Sequence, residues 1–312
     1  MQAPSPPTAP AGGIRTAGLC KRFGAHTALE PLDLTVEPGS VTGLIGPNGS
    51  GKSTMMRCLI GLVAPTQGRV WVDGVPLTGD GLAIRRRATY APGEMGVYRE
   101  MKGQAHLDWF LRGRDRETRR RARELASELG LPLERKVGMY SHGMKRQLVF
   151  AAAMAPDVPV RILDEITEGL DPSKRTQVTD VLARESGRGT TVLLSSHHFG
   201  EVDRVCQRVL FMQAGRLLED TSAAAMRDRA ARILRVSYAQ PTDAAAIEQR
   251  WPAALGPRCS RREHTLVFEL PSQDPRAALE FLAAQAETPR EVRFGAHTLA
   301  DLYQDLYGVE GT

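Results

Sequence analysis

The stretch that most constrains this chain is Gly46 to Thr54, GPNGSGKST. It fits the phosphate-loop pattern of glycine, four free positions, glycine, lysine and serine or threonine. Before it, Val41 to Ile45 (VTGLI) reads as a buried strand; after it, Lys52 to Val63 carries Met55, Met56, Leu59, Ile60 and Val63 at helical spacing. A strand, a tight loop and a helix follow one another.

The order has a chemical reason. A polyphosphate is held by backbone N–H groups, so the residues that wrap it must lack bulky side chains. Gly46, Gly49 and Gly51 permit the wrap, with Pro47, Asn48, Ser50 and Thr54 completing the loop. The helix that follows turns its unsatisfied N–H groups and positive dipole end toward the anion. Lys52 is placed to reach the β- and γ-phosphates, and the Ser53 hydroxyl to hold Mg²⁺.

The chain has 312 residues, 42% of them hydrophobic, enough for one large domain and a small one with separate cores. Its 41 Lys and Arg against 36 Asp and Glu give a formal charge of +5, too modest an excess to select nucleic acid or an anionic membrane as a partner. Cys20, Cys58, Cys206 and Cys259 form no CxxC pair, so neither a zinc site nor a disulfide framework is expected, and a reducing cytosol fits. The longest apolar run, Leu148 to Ala155, falls far short of the about 20 residues that span a bilayer. Any membrane role must then come through a partner.

Met1 to Gly13 is rich in Pro and Ala and is expected to be a disordered tail. Strands are expected at Ile14 to Phe23 and Leu32 to Val36, and a hairpin at Arg69 to Val72 and Val75 to Leu77 turns on Asp73-Gly74. Phe23, just upstream of the loop, is either a ring stacked on a base or a core side chain. Gln104 to Leu129 reads as helical, and its arginine cluster is interleaved with Asp115, Glu117, Glu124 and Glu128 as on a solvated face. A turn at Tyr140 to Met144 (YSHGM) enters an apolar helix at Lys145. Val160 to Leu163 (VRIL) is a strand that delivers Asp164-Glu165 at its carboxyl end, where ligands sit in open α/β sheets. Gly169-Leu170-Asp171-Pro172 starts the next helix, and the strand Thr190 to Leu194 runs into Ser195-Ser196-His197-His198.

Taken together and in order, GPNGSGKST, YSHGM, VRILDE, GLD and SSHH resemble the nucleotide-binding domain of ATP-binding cassette (ABC) ATPases over roughly Ile14 to Ala225. The resemblance implies an α/β phosphate-loop NTPase fold with a helical subdomain, and ATP with Mg²⁺ as cofactors. It implies that Lys52 and Ser53 are the Walker A residues, Asp164 the Walker B aspartate on Mg²⁺, and Glu165 the base that polarises the attacking water. It further makes His197 the switch histidine on the γ-phosphate, Asp171 the D-loop aspartate and Phe23 the adenine-stacking ring. Ser141 and Gly143 match the signature segment, which such proteins present to the nucleotide bound by a second subunit. A homodimer closed head to tail around two MgATP follows from the resemblance, on the cytoplasmic face of a membrane and paired with a separately encoded integral-membrane permease. Residues 226–312 hold alternating strand and helix patterns and are expected to form a small accessory α+β domain, ending in a helix at Thr298 to Tyr307. The stretch YAPGEMGVY and this extension are most similar to ATPases of ABC-2-type exporters, including the daunorubicin-resistance type. Soluble relatives that act on nucleic acid or ribosomes usually join two cassettes in one chain, and this chain has one, so nucleic acid is not the expected partner.

Two departures stand out. His142 replaces the first glycine of the usual signature, and Gly93 stands where a Q-loop glutamine normally helps hold Mg²⁺ and links the site to the membrane subunit. Glu94, the next residue, is the candidate substitute. On that hypothesis Glu94→Ala slows turnover and raises the Mg²⁺ concentration needed for half-maximal rate; a Mg²⁺ titration of the variant that superimposes on that of the parent rules it out.

Overall fold

The computed structural model describes residues 11–94, 96–196, 204–262 and 264–295. His197, most of the expected N-terminal tail and the expected helix at Thr298 to Tyr307 lie outside the described residues. The described chain forms two compact units, one running up to residue 196 together with Arg204–Asp220, the other beginning at Thr221.

The first unit is built on a six-stranded sheet. Its strands are β3 (Val41–Ile45), β6 (Ala88–Ala91), β7 (Val160–Asp164), β8 (Thr191–Ser195), β9 (Arg208–Gln213) and β10 (Arg216–Ser222), in the order β10-β9-β3-β8-β7-β6. From β9 to β6 neighbours run parallel, so their carboxyl ends share one edge. The phosphate-loop strand lies inside this array, with every residue of β3, β7 and β8 buried. That burial explains why these strands read as unbroken apolar runs rather than alternating ones.

A second sheet in this unit has the order β2-β1-β4-β5, from β1 (Ile14–Phe23), β2 (His26–Val36), β4 (Gln67–Val72) and β5 (Val75–Pro76). Strand β2 starts earlier than the alternation at Leu32 predicts. Its interruption, Pro31, is tolerated because β2 is the edge strand of its sheet, with a ladder partner on one side only. The β4–β5 turn has φ of 52° at Asp73 and 72° at Gly74, the two left-handed positions of a type I′ turn. Ile14, Leu29, Val36, Met55, Leu59, Val70 and Leu193 belong to one continuous apolar core, which joins the two sheets through helix α1 (Lys52–Leu59).

The helical region expected as one stretch is two helices, α3 (Gly103–Phe110) and α4 (Arg116–Glu128). Gly113, at φ 85°, breaks the run, and Asp115 restarts it as an N-cap accepting from the Thr118 N–H at 2.6 Å. That bond holds the Asp115 carboxyl below its usual pKa. Two arginines of the cluster are ion-paired: Arg120 bridges Glu117 and Glu124, and Arg123 meets Asp108 at 2.7 Å. A short helix α2 (Leu82–Arg85) lies in the connection between β5 and β6. Helix α5 (His142–Met154) begins a turn before Lys145, because Ser141 caps it by accepting from the Met144 N–H at 3.2 Å. Helix α6 (Pro172–Ser186) is capped in the same way by Asp171, with Pro172 in its first turn.

The second unit opens with α7 (Ala223–Ala231), absent from the sequence reading, and continues as β11 (Ile233–Ser237), α8 (Pro241–Arg250), β12 (Arg258–Arg262), β13 (Thr265–Glu269), α9 (Arg276–Ala283) and β14 (Glu291–Phe294). Strand order β12-β13-β11-β14, antiparallel throughout, makes this the split βαββαβ arrangement. Leu234, Val236, Leu266 and Phe268 pack beneath α8 and α9 residues Ala244, Ile247, Ala278 and Leu282, with Trp251 stacked on Phe268 at 3.7 Å. The first and last strands are neighbours: Gly295 N–H donates to the Ile233 carbonyl at 2.8 Å.

One buried ion pair ties the sheet of the first unit to its helices. Arg161, on β7 and 3% exposed, donates to Glu185 of α6 at 2.8 Å, and its remaining N–H groups reach the Ala153 and Pro156 carbonyls. Removing only the carboxylate strands a guanidinium that cannot shed its charge. Glu185→Ala is expected to cost about 3–5 kcal/mol of stability, read as the shift of the first unfolding transition in urea.

Candidate functional site

The cleft at the carboxyl edge of the parallel sheet is built on one close approach. A Cβ added to Gly46 would stand 2.1 Å from the Met212 carbonyl oxygen and 2.8 Å from Ser50 Oγ, so only glycine lets β3 pass so near the end of β9. Gly49 at φ 79° and Gly51 at φ 104° then turn the chain through conformations that other residues resist. The turn delivers Lys52, Ser53 and Thr54 in the first turn of α1. The result is a cleft of about 660 Å³ lined by the loop, Phe23, Arg57, Gly93, Glu94, Glu165 and Glu168. Its volume is in the range of small-ligand sites.

Lys52 is 4% exposed. Its Nζ donates to the Gly46 carbonyl at 2.8 Å and the Pro47 carbonyl at 3.1 Å, and lies 3.8 Å from Glu165 Oε1. Burial pulls its pKa below the usual lysine value, against the opposing pull of the Glu165 and Asp164 carboxylates. The ammonium is thus folded back on its own loop, where oxygen acceptors stand in for an anionic ligand.

Asp164 ends β7, fully buried. Its Oδ1 accepts from Ser195 Oγ at 2.6 Å and its Oδ2 from the Tyr90 hydroxyl at 3.3 Å. The same Ser195 Oγ accepts from the Glu165 N–H at 2.9 Å. Ser195 therefore clamps both acidic residues from the adjacent strand β8, and it holds Glu165 at φ 48°, a conformation that costs a non-glycine residue about 1–3 kcal/mol. Tyr90, on β6, has its phenol pushed up to about 12 by burial and by the Asp164 carboxylate, against the opposing pull of the nearby Arg57 guanidinium.

Phe23 is 50% exposed on the cleft wall with Lys21 Nζ 4.7 Å from its ring, which removes the core alternative. Pro47 and Asn48 form the outer turn of the loop, and the buried Ser50 hydroxyl has no partner. Gly93 faces Asp164: a Cβ there would lie 3.6 Å from its carboxylate, in ordinary contact. Glu94 points outward, its side chain 94% exposed and 4.0 Å from Arg57.

Ser141 and Gly143 do not line this cleft. They open α5, and Gly143 is pressed against the turn before α6, where an added Cβ would meet Leu170 at 3.1 Å. His142 sits on the same turn, its Nδ1 2.6 Å from where a Gly169 Cβ would be. Asp171 is committed to its helix cap. Four residues that touch the cleft or its carboxylates, Arg57, Tyr90, Glu168 and Ser195, were not picked out in the sequence. Two carried a positional signal: Ser195 begins SSHH at the end of a predicted strand, and Tyr90 opens YAPGEMGVY.

The arrangement fits a magnesium nucleotide. The glycine cradle leaves room for phosphates, the Ser50 hydroxyl is unpartnered, and a buried cation faces them. Mg²⁺ needs few protein ligands when phosphates and waters supply the rest, and the Ser53 side chain lines the same cleft.

Comparison with known proteins agrees. The profile of the ABC transporter family matches residues 29–168. The chain is 32% identical to the daunorubicin/doxorubicin resistance ATP-binding protein DrrA of Streptomyces peucetius, over 96% of this chain and 94% of that one. It is 33% identical to the Nod factor export ATP-binding protein I of Rhizobium sp. (strain N33), over 68% of this chain and 72% of that one. A dimeric post-hydrolysis structure of the ATP-binding cassette MJ0796 with ADP and Pi superimposes at a TM-score of 0.62 over 67% of this chain and 98% of that one; at 23% identity the likeness is one of fold.

The Ser195 clamp makes a prediction. A hydrogen bond to a charged group is worth about 1.5–3 kcal/mol, and about 1.4 kcal/mol is tenfold in rate. Ser195→Ala is expected to lower kcat by roughly ten- to a hundredfold while nucleotide affinity, measured with a fluorescent ATP analogue, changes by less than about threefold.

Proposed function

The chain belongs to the ABC transporter family, and from that premise we propose how its own residues do the work of an ATP-binding subunit. It is an ATPase that powers a separately encoded membrane permease, in the manner of exporter subunits. The observation that carries this reading to the residue level is the single cleft in which the glycine cradle, Lys52 and Glu165 meet.

In the proposed mechanism, the loop N–H groups and Lys52 bind the phosphates, with Lys52 exchanging the Gly46 and Pro47 carbonyls for phosphate oxygens. Phe23 stacks on the adenine. Ser53 and Asp164 would hold Mg²⁺, which when bound would supply charge neutralisation at the phosphates. Glu165, held by the backbone bond to Ser195, orients a water and accepts its proton as the oxygen attacks the γ-phosphorus and the bond to ADP breaks. His197 contacts the γ-phosphate on the sequence assignment alone. Ser141 caps α5 as an acceptor, which leaves its O–H free to donate, and with Gly143 it faces the nucleotide of a second copy in a head-to-tail dimer.

The membrane partner has a candidate seat. A groove of about 530 Å³ beside the Gly93 segment is lined by Leu62, Tyr90, Pro92, Gly96, Leu111 and Val149, with Leu62 55% exposed. A permease segment docked there would feel any movement of the loop at Gly93 and would hold the ATPase at the cytoplasmic face of the membrane. Among the described residues no helix is long and apolar enough to cross a membrane.

Glu165→Gln is expected to keep ATP binding and to lower turnover by about a hundredfold or more; near-normal hydrolysis would remove Glu165 from the role of base. Purification of the tagged chain from mild-detergent membranes should bring down a polytopic membrane protein in stoichiometric amount with vanadate-sensitive ATPase activity. Recovery with ribosomes or nucleic acid instead would overturn the permease assignment.

A further inference from the structure

Gly93 offers the cleft no side chain, yet its backbone is not left to itself. Its carbonyl accepts from Arg146 Nη1 at 2.5 Å. Arg146 lies in α5, little more than one turn from the Ser141 cap, and is 3% exposed. Its other terminal nitrogen, Nη2, donates to Glu168 Oε2 at 3.1 Å. Glu168 closes the turn that follows the acidic pair: its N–H donates to the Glu165 carbonyl at 3.2 Å. Gly93, Glu165 and Glu168 all line the nucleotide cleft.

We infer that Arg146 is a positioning residue of the ATPase site, coupling the helix that begins at Ser141 to the loops that carry Gly93 and Glu165. The inference rests on the proposed role of Glu165 and extends it. The physical reason lies in the cost of burying a guanidinium. Arginine keeps its charge at any working pH, so a buried one must keep its hydrogen-bond partners. Nε of Arg146 has no partner, which leaves the Gly93 carbonyl and the Glu168 carboxylate as the groups that stabilise it. Any shift of α5 therefore drags both loops with it. Displacing Glu168 moves the turn whose first residue is Glu165. In this chain the connection that a side chain at position 93 would make is carried by a main-chain oxygen and an arginine from the opposite direction.

A merely structural arginine would lower the amount of folded protein and leave the rate per folded site alone. A positioning one lowers kcat with nucleotide affinity intact. Arg146→Gln, Arg146→Lys, Glu168→Gln and the double variant Arg146→Gln/Glu168→Gln, all in the full-length chain, separate the two. Glu168 has a side chain 45% exposed, so its amide variant leaves the buried packing unchanged. The expected result is a fall in kcat of about three- to tenfold for Glu168→Gln and more for Arg146→Gln, with ATP-analogue affinity per folded site within about twofold. Arg146→Lys, which can keep Glu168 or Gly93 but not both in fork geometry, should fall between Arg146→Gln and the parent. The double variant should be no slower than Arg146→Gln alone, because the two residues act as one link. Independent, multiplying effects on kcat, or rates per folded site within twofold of the parent for Glu168→Gln and Arg146→Gln, would overturn the inference. Parent turnover and its loss in Glu165→Gln, measured in the same assay, report separately on the underlying reading.

Discussion

The contact between Gly46 and the Met212 carbonyl sets the rest of the site in place. It brings the end of the phosphate-loop strand against the end of β9, so the chain must turn sharply before α1 can start. Because the neighbouring strands β3, β8 and β7 run parallel, everything that follows their carboxyl ends emerges along the same edge. Lys52 from one strand end, Asp164 and Glu165 from a second and Ser195 from a third then meet without any long reach. A side chain at position 46 would separate the first of these from the others.

The carboxylates are organised by a short polar chain running across strand ends. Tyr90 bonds Asp164, Asp164 is bonded by Ser195, and Ser195 receives the Glu165 N–H. In such a buried network each member fixes the orientation of the next, and a missing partner is expensive. The backbone of Glu165, held left-handed, is one product of that chain. The other is the fixed orientation of both Asp164 oxygens.

How much of this was legible in the sequence follows from contact range. The phosphate loop, the strand ending in Asp164-Glu165 and the strand ending in Ser195 are local patterns, and each was read from consecutive residues. The hairpin at Asp73-Gly74 was equally local. The break in the helical region at Gly113 was missed because the arginine and glutamate spacing on either side is helical, and only the Asp115 cap marks the restart. The contacts of Arg57, Tyr90, Arg146 and Glu168 were not legible. Tyr90 meets Asp164 across 74 positions and Arg146 meets Gly93 across 53, so their pairing depends on strand order and helix placement that a single sequence does not print. Phe23 was ambiguous for a related reason: a ring at a strand end is core or wall depending on what packs beyond it.

The sheet of the second unit begins and ends on neighbouring strands. With β11 and β14 paired, the chain leaves at Gly295 one hydrogen bond from where it entered at Ile233. A module threaded this way behaves like a closed loop on a string. Lengthening, trimming or exchanging it leaves the spacing between the segments on either side almost unchanged. The stretch between these two strands can therefore change in length while its ends stay one hydrogen bond apart.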